Sequence, residues 1–200
     1  MKLRGLYAIT PESGESPVLL GQVARALEGG IACLQYRRKA RQSTREALAL
    51  AALCRASGVP FIVNDDVGLA LAVNADGVHL GRDDGDVATA RLKLKEKLLG
   101  VSCYDSLAAA RGAVEAGADY IAFGSVFASP TKPGAVRAPL SLFSEARSLG
   151  VPLAAIGGIT LENAPQVLAA GADALAVISD LFDAADVAGR ARAYGKLFRQ

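Results

Sequence analysis

Eight short apolar runs, separated by helical patterns, constrain the fold of this chain more than any other feature. The apolar runs cover residues 5–10, 31–37, 60–65, 76–81, 98–103, 119–127, 151–158 and 173–179. The helical patterns cover residues 18–28, 43–57, 86–97, 105–116, 140–149, 161–170 and 183–198. Strands that alternate with helices are typical of a parallel sheet covered on both faces. Eight such units in 200 residues predict an α/β fold, a (β/α)8 TIM barrel near the lower size limit of that fold.

A doubly wound open sheet is the alternative to the barrel. The first apolar run lacks the GxGxxG signature that would favour such a sheet, and eight strands would be many for it. No Pro- or Ser-rich linker divides the chain, so we expect a single domain over residues 1–200. The longest irregular stretch, "ASPTKPGAVRAP" at 128–139, carries cations. Because long loops are often functional, we expect its residues 128–137 to order over a bound diphosphate.

A repeated segment precedes several of the predicted strands. It is visible in "VNADGVHLG", "EAGADYIAFG" and "AAGADALAVIS". Each copy indicates the end of a helix, a Gly or Asn suited to a left-handed cap, and then a strand. The Asp before each strand is therefore predicted to lie in a loop on the side away from any functional site.

Composition and charge exclude several classes of protein. The formal net charge of +2 argues against a general nucleic-acid binder, which needs a basic surface. No apolar run approaches the roughly 20 residues of a membrane span, and the N-terminus does not resemble a secretory signal. The three cysteines are an odd number without metal-site spacing, which favours reduced thiols in a cytoplasmic protein.

Polar side chains gather where the predicted strands end, which is the face that carries function in such barrels. Period-two geometry places Gln35, Arg37 and Lys39 on one side of the second strand. The third and fourth strands end in the acidic segments "ND" and "GRDDGD", whose carboxylates suit a hard cation such as Mg²⁺. The cations suit an anionic ligand, so the ends of these strands predict a Mg²⁺–diphosphate site.

Other strand ends suit a second phosphate. Gly157 and Gly158 follow the seventh strand, and Ser179 follows the eighth. Backbone N–H groups at such positions bind phosphate, although a glycine pair is equally often a tight turn. His79 lies inside an apolar strand and is expected to be a hydrogen-bonded packing residue.

Structural interpretations of other polar residues stay open. The acids Asp83, Asp84 and Asp86 could simply cap a helix, and Asp66 is expected to do so. Tyr36 and Tyr120 could pack rather than stack on a ligand.

Taken in order, the motifs resemble those of the thiamine phosphate synthase family over essentially the whole chain. They are "GLYAIT", "LQYRRK", "FIVNDDVGLALAVNADGVHLGRDD", "GVSC", "DYIAFGSVFASPTKP", "AAIGGI" and "GADALAVIS". The resemblance implies a transferase that joins hydroxymethylpyrimidine diphosphate to hydroxyethylthiazole phosphate with Mg²⁺, giving thiamine phosphate and diphosphate. It implies small-molecule substrates and neither a nucleic acid nor a membrane as partner.

The resemblance also implies roles for individual residues. The metal ligands would be Asp65 and Asp84. The pyrimidine diphosphate would contact Gln35, Tyr36, Arg37, Arg38, Lys39, Asn64, Ser102 and Lys132, of which Arg37, Lys39, Ser102 and Lys132 would be catalytic. The thiazole phosphate would contact Ser129, Pro130, Thr131, Gly158, Ile178 and Ser179.

Two positions depart from the family pattern. Arg82 stands where Gln is common, and Ser129 stands where Thr is usual. We expect Arg82 to face solvent, and Ser129 keeps the hydroxyl group, so neither change is expected to abolish function.

Three alternatives stay open. A thiazole tautomerase shares the barrel but typically lacks both metal acids and has a His at the position of Tyr104. A sugar-phosphate isomerase would need an acid–base pair, for which only Asp65 or Cys103 would be available. A non-catalytic barrel that binds thiamine precursors would bind both without turnover.

Overall fold

The computed structural model of the chain describes residues 3–128 and 136–199. Eight strands form a closed parallel barrel in which each strand pairs with the next and the last pairs with the first. They are β1 (Gly5–Ile9), β2 (Cys33–Tyr36), β3 (Phe61–Asn64), β4 (Gly77–Leu80), β5 (Leu98–Tyr104), β6 (Tyr120–Phe123), β7 (Leu153–Ile156) and β8 (Ala174–Val177). The predicted (β/α)8 barrel is confirmed. Most observed strands are shorter than the apolar runs, because the polar residues at their ends belong to loops.

Helices surround the barrel. They are α1 (Ser16–Glu28), α2 (Thr44–Ala56), α3 (Val67–Ala72), α4 (Val87–Leu94), α5 (Leu107–Glu115), α6 (Ser141–Glu145), α7 (Ala164–Ala169), α8 (Ser179–Phe182) and α9 (Val187–Leu197). A 3₁₀ turn at Ala146–Leu149 extends α6. The seven helical patterns did not include α3 and α8, and the sequence indicated α3 only through its expected cap, Asp66. No helix within the described ranges has the length and apolarity of a membrane span.

Side-chain caps fix the start of several helices. Asp66 accepts a hydrogen bond from the N–H of Leu69 at 2.8 Å and begins α3, as predicted. Asp86 begins α4 in the same way, with the N–H of Thr89 at 2.7 Å. Of the acids in "GRDDGD", one is therefore a helix cap. Asp84 does not cap α4, so helix capping does not explain its presence.

Three Asp residues at the start of even-numbered strands join neighbouring strands. Asp173 accepts a hydrogen bond from the N–H of Leu153 at 3.0 Å, and its own N–H donates to the carbonyl of Leu153 at 2.8 Å. Asp76 makes the same pair of bonds with Phe61 of β3, and Asp119 makes it with Leu99 of β5. All three lie at the amino end of the barrel, as the repeated segment predicts. The residues two positions earlier have positive φ and end the preceding helix.

The hydrophobic core has two parts. One lies between the strands and the helices and contains most of the buried Leu, Val and Phe side chains. The other fills the barrel interior with small residues, Ile62 and the two tyrosines Tyr7 and Tyr120, whose hydroxyl oxygens are 2.8 Å apart. Gly100 on β5 makes room for the Tyr120 ring, since a Cβ there would lie 2.0 Å from the Tyr120 Cζ. The barrel interior therefore contains two tyrosine hydroxyl groups among mostly apolar side chains.

Candidate active site

A cavity of about 510 Å³ opens at the carboxyl ends of the strands. Ten of the predicted site residues line it: Gln35, Arg37, Lys39, Asn64, Asp65, Asp84, Ser102, Gly158, Ile178 and Ser179. Since they come from β2, β3, β4, β5, β7 and β8 or the loops after them, only closure of the barrel brings them together. Their individual roles stay predictions.

Two predicted substrate residues lie outside the cavity. The Tyr36 ring packs against Phe61 with 6.4 Å between ring centroids, and its hydroxyl accepts a hydrogen bond from the N–H of Ser43. The buried Arg38 guanidinium lies 3.1 Å from Glu46 on α2 and donates to the carbonyl of Gly14. Because alternate residues of β2 face opposite sides, both point toward the helices. Assigning Tyr36 and Arg38 to the substrate was therefore wrong.

Four further predicted residues, Ser129, Pro130, Thr131 and Lys132, lie outside the described residues. The expectation that the 128–137 loop orders over substrate stays a prediction as well.

One end of the cavity carries a lysine between two carboxylates. The Lys39 Nζ is 2.7 Å from Asp65 Oδ2 and 4.0 Å from Asp84 Oδ1. The Asp84 Oδ2 also accepts a hydrogen bond from the N–H of Gly81 at 2.9 Å. Asp65 holds its position with φ at 65°, a left-handed conformation that is unusual for a residue with a side chain.

The carboxylates of this cluster perturb one another. Burial and the neighbouring Asp84 carboxyl raise the pKa of Asp65. Burial opposes charge on Asp84 too, but hydrogen bonds from Asp65 and Gly81 lower the pKa of Asp84 overall. Two acids close to a single ammonium group favour an additional cation.

Asp65 and Asp84 fit Mg²⁺ because that ion takes one or two carboxylates and completes its shell with substrate phosphates and water. A cluster of three or more metal-binding side chains is absent from the described part of the chain. A metal held by these two acids would therefore take its remaining oxygen ligands from water or from a substrate.

Arg82 adjoins this cluster but does not enter it. The side chain is exposed, and its guanidinium carbon lies 4.5 Å from the centroid of the Tyr104 ring. The Tyr104 hydroxyl in turn accepts a hydrogen bond from the Arg82 N–H. The expectation that Arg82 faces solvent is confirmed. Tyr104 has φ at 55° and follows an irregularity in the pairing of β5 with β6, which places its ring on the cavity wall.

The opposite end of the cavity is lined by backbone. Gly157 and Gly158 have φ values of 101° and 63°. A Cβ at Gly157 would lie 2.1 Å from the Ser125 Oγ, and one at Gly158 would lie 2.2 Å from the Ala128 carbonyl oxygen. Only glycine therefore allows these strand ends to approach so closely. The N-terminus of α8 at Ser179 faces the same cavity, so exposed N–H groups are available there for a phosphate.

Asp180 also lines the cavity near Ser179, and its negative charge is partly neutralised by neighbouring side chains. Asp180 lies 3.1 Å from the Arg190 Nη1 and accepts a hydrogen bond from the Tyr194 hydroxyl at 2.7 Å. The ion pair reduces the repulsion that Asp180 would exert on an anion. Sequence reasoning missed this residue because its partners lie on α9.

The hydrogen bonds on the floor of the cavity were not predicted from the sequence either. Gln35 Nε2 donates to the Tyr7 hydroxyl at 2.8 Å, and the Tyr7 hydroxyl contacts the Tyr120 hydroxyl. His79 contacts the Tyr120 hydroxyl through Nδ1 at 3.1 Å and the Ser102 Oγ through Nε2 at 2.8 Å. The signal for these contacts in the sequence is the presence of polar side chains within otherwise apolar strands.

The His79 ring is neutral at physiological pH. Desolvation by burial lowers the pKa of His79 from 6.5 to about 4. Its two hydrogen bonds and its burial confirm the prediction of a hydrogen-bonded packing residue, and they also connect it to Ser102 in the cavity.

Fold and cavity together define a (β/α)8 barrel enzyme whose cavity lies at the carboxyl ends of its strands, where enzymes of this fold bind substrates. Residues 6–181 match the sequence model of the family described as thiamine monophosphate synthase. The thiamine-phosphate synthase of Aromatoleum aromaticum is 59% identical, over 98% of this chain and 97% of the relative. That of Azoarcus sp. is 57% identical, over 98% of both chains.

A solved structure agrees with these relatives. The thiamine phosphate pyrophosphorylase of Pyrococcus furiosus is 36% identical and superimposes with a TM-score of 0.86, over 99% of this chain and 96% of that chain. The chain belongs to the thiamine monophosphate synthase family and is a transferase.

Proposed function

We propose that the barrel joins hydroxymethylpyrimidine diphosphate to hydroxyethylthiazole phosphate and releases diphosphate. The observation that carries the proposal is the division of one cavity into two ends of different chemistry. Arg37, Lys39, Asp65 and Asp84 lie at one end, and the glycine-lined backbone lies at the other. The names of the relatives support this reaction in particular.

The cation-rich end suits the diphosphate. The Lys39 ammonium and the Arg37 guanidinium would bind its oxygens, and Asp65 with Asp84 would hold Mg²⁺ against them. When bound, Mg²⁺ supplies charge stabilisation to the leaving diphosphate. Arg37 is held 3.3 Å from Glu12, which orients the guanidinium at the cavity wall. Lys132 would add a further cation at this end, by resemblance to the family.

The glycine-lined end suits the thiazole phosphate. Gly158, Ile178 and Ser179 would hold its phosphate through backbone N–H groups and the Ser179 hydroxyl. Ser129, Pro130 and Thr131 would complete this end, by resemblance to the family. Binding both substrates in one cavity would place the thiazole nitrogen against the reacting carbon, and positioning of this kind contributes much of the rate in two-substrate reactions.

The chemistry balances without an enzymic nucleophile or base. The bond between the pyrimidine methylene carbon and the diphosphate oxygen breaks, and its electron pair leaves with diphosphate. The lone pair of the thiazole nitrogen then forms the new carbon–nitrogen bond, and no proton has to move. The electron-rich aminopyrimidine favours a dissociative, carbocation-like transition state, so the protein mainly has to stabilise charge and orient two rings.

The proposed place of action is the cytoplasm. Cys33, Cys54 and Cys103 are all buried and free, which fits a compartment that keeps thiols reduced.

The test is an end-point assay of the purified chain with both precursors. We expect thiamine phosphate and diphosphate in equal amounts with Mg²⁺, and no product with EDTA or with either precursor alone. Product formed equally well in EDTA would contradict the metal assignment. Absence of product with Mg²⁺, while both precursors still bind, would contradict the reaction and support a binding protein instead.

A further inference from the structure

Five side chains form one continuous chain of hydrogen bonds across the barrel. It runs from Gln35 through Tyr7, Tyr120 and His79 to Ser102, over contacts of 2.8, 2.8, 3.1 and 2.8 Å. Gln35 and Ser102, at its two ends, line the cavity. Tyr120, at its centre, lies in the barrel interior and is not among the cavity-lining residues of the described ranges. We call this set the tyrosine relay.

Once Gln35 donates through Nε2, the proton supply of the other groups gives the relay one direction. Gln35 donates its amide N–H to the Tyr7 oxygen, so Tyr7 uses its single hydroxyl proton toward Tyr120. Tyr120 in turn donates to His79 Nδ1, and the neutral imidazole must carry its proton on Nε2. Nε2–H then donates to Ser102 Oγ. Ser102 keeps its own proton for a partner in the cavity.

Burial keeps the relay in this form. Desolvation raises the pKa of Tyr7 and of Tyr120 well above 10.0, so both hydroxyl groups stay protonated. A change of direction at a single hydroxyl would leave one buried proton without an acceptor, which costs free energy. The relay can therefore reverse only as a whole, with the Gln35 amide turned over.

The direction of these hydrogen bonds determines which donor and acceptor groups of a ligand the cavity can bind. At one end Gln35 is held with Nε2 toward Tyr7, so its Oε1 is the atom left to accept a hydrogen bond. At the other end Ser102 is held as a donor. An aminopyrimidine presents the matching groups, because its exocyclic amine donates and its ring nitrogen accepts. The reversed relay would present a donor at Gln35 and would make Ser102 give its proton to His79.

We propose that Tyr120 is a positioning residue for the pyrimidine substrate, and that through Tyr7 and His79 it holds Gln35 as an acceptor and Ser102 as a donor. This inference rests on the proposed function. It adds that recognition of the amino-heterocycle is specified from beneath the cavity, by a hydroxyl group that does not touch the substrate.

The test is Tyr120→Phe, which removes the central hydroxyl and keeps the ring that packs against Tyr7 at 6.0 Å. We expect the KM for the pyrimidine diphosphate to rise about 10-fold, the effect of roughly 1.4 kcal/mol in binding. The KM for the thiazole phosphate should not change. Preference for this substrate over its des-amino analogue should fall by a similar factor. Tyr36→Phe, another buried tyrosine whose hydroxyl lies outside the cavity, is the matched control and should change neither KM.

A second readout needs no turnover. His79 is the only histidine, so ¹⁵N NMR of the imidazole reports its tautomer directly. We expect the Nε2–H tautomer in the wild-type chain and in Tyr36→Phe, and loss of that single tautomer in Tyr120→Phe. An Nδ1–H tautomer in the wild-type chain would overturn the proposal even if the variant fails to fold. Unchanged KM and tautomer in folded Tyr120→Phe would overturn it as well. A wild-type chain that makes no product while showing the Nε2–H tautomer would instead contradict the proposed reaction alone.

Discussion

The Nζ of Lys39 lies 2.7 Å from the Oδ2 of Asp65 and 4.0 Å from the Oδ1 of Asp84, so one ammonium group is shared between two carboxylates. Lys39 is about half exposed, whereas both carboxylates are largely buried. In the absence of ligands its ammonium therefore provides part of the positive charge that these acids require. Under the proposed function, a diphosphate that arrives with a divalent ion would give Lys39 a new partner and would give the two acids a new cation.

Replacing Lys39 with Gln is expected to have opposite effects on two ligands. Affinity for Mn²⁺ alone, measured by electron paramagnetic resonance as a probe for Mg²⁺, should rise about 10-fold because the competing charge is gone. Affinity for inorganic diphosphate with the metal present should fall. Lys93→Gln removes the same charge from an exposed position on α4 and should change neither affinity. Weaker Mn²⁺ binding in Lys39→Gln would contradict the competition.

Asp84→Asn is expected to lower kcat at least about 100-fold, because the proposed metal ligand would lose its charge where the diphosphate is proposed to leave. The Asn oxygen can still accept the Gly81 N–H, so the loop should stay folded. Asp86→Asn is the matched control in the same loop: Asp86 is exposed and caps α4, and Asn caps helices as well. Steady-state kinetics over a range of Mg²⁺ concentrations tests both variants. Equal kinetics for the two would contradict the assignment of Asp84.

The stability of the protein should depend on the protonation of His79. Its pKa is about 4 in the folded protein against 6.5 for the free side chain, so the unfolded chain binds a proton first as the pH falls. Stability should therefore be lost as the pH falls from about 6.5 toward 4, by about 2 kcal/mol between pH 7.5 and 5. Urea unfolding of the wild-type chain and of His79→Gln measures this. The variant should lose less stability over that range, and identical pH dependence would show that His79 is not buried as a neutral ring.

The sequence predicts the barrel well because two periodic signals agree along most of the chain. Buried parallel strands require apolar runs, and the helices between them require their own spacing, so both leave a pattern. The repeated Asn/Gly–Ala–Asp segment also indicates which residues lie at the amino end of the barrel. The helical patterns did not include α3 and α8, each of which is shorter than two turns, and only the cap Asp66 indicated α3.

Site residues could be predicted from the sequence only where their position along a strand determines which way the side chain points. Gln35, Arg37 and Lys39 share one face of β2 and its extension, and they do line the cavity, whereas the resemblance to a family motif wrongly included their neighbours Tyr36 and Arg38. The tyrosine relay depends on contacts between residues up to 113 positions apart. No local pattern contains such a contact, so Tyr7 and Tyr120 could be placed in strands but not joined.

Asp173 provides a test of stability that is separate from catalysis. It lies at the amino end of the barrel, binds the Leu153 N–H and pairs with the Arg147 Nη1 at 2.9 Å. Asp173→Ala would remove the partner of a backbone N–H beside the core and is expected to cost about 2 kcal/mol in the free energy of unfolding. Asp173→Asn keeps an acceptor for that N–H and should cost less. Because the cavity opens at the other end of the barrel, kcat and KM should stay at wild-type values in both variants below their melting temperatures. A loss of kcat in Asp173→Ala at full folding would mean that the two ends of the barrel are coupled.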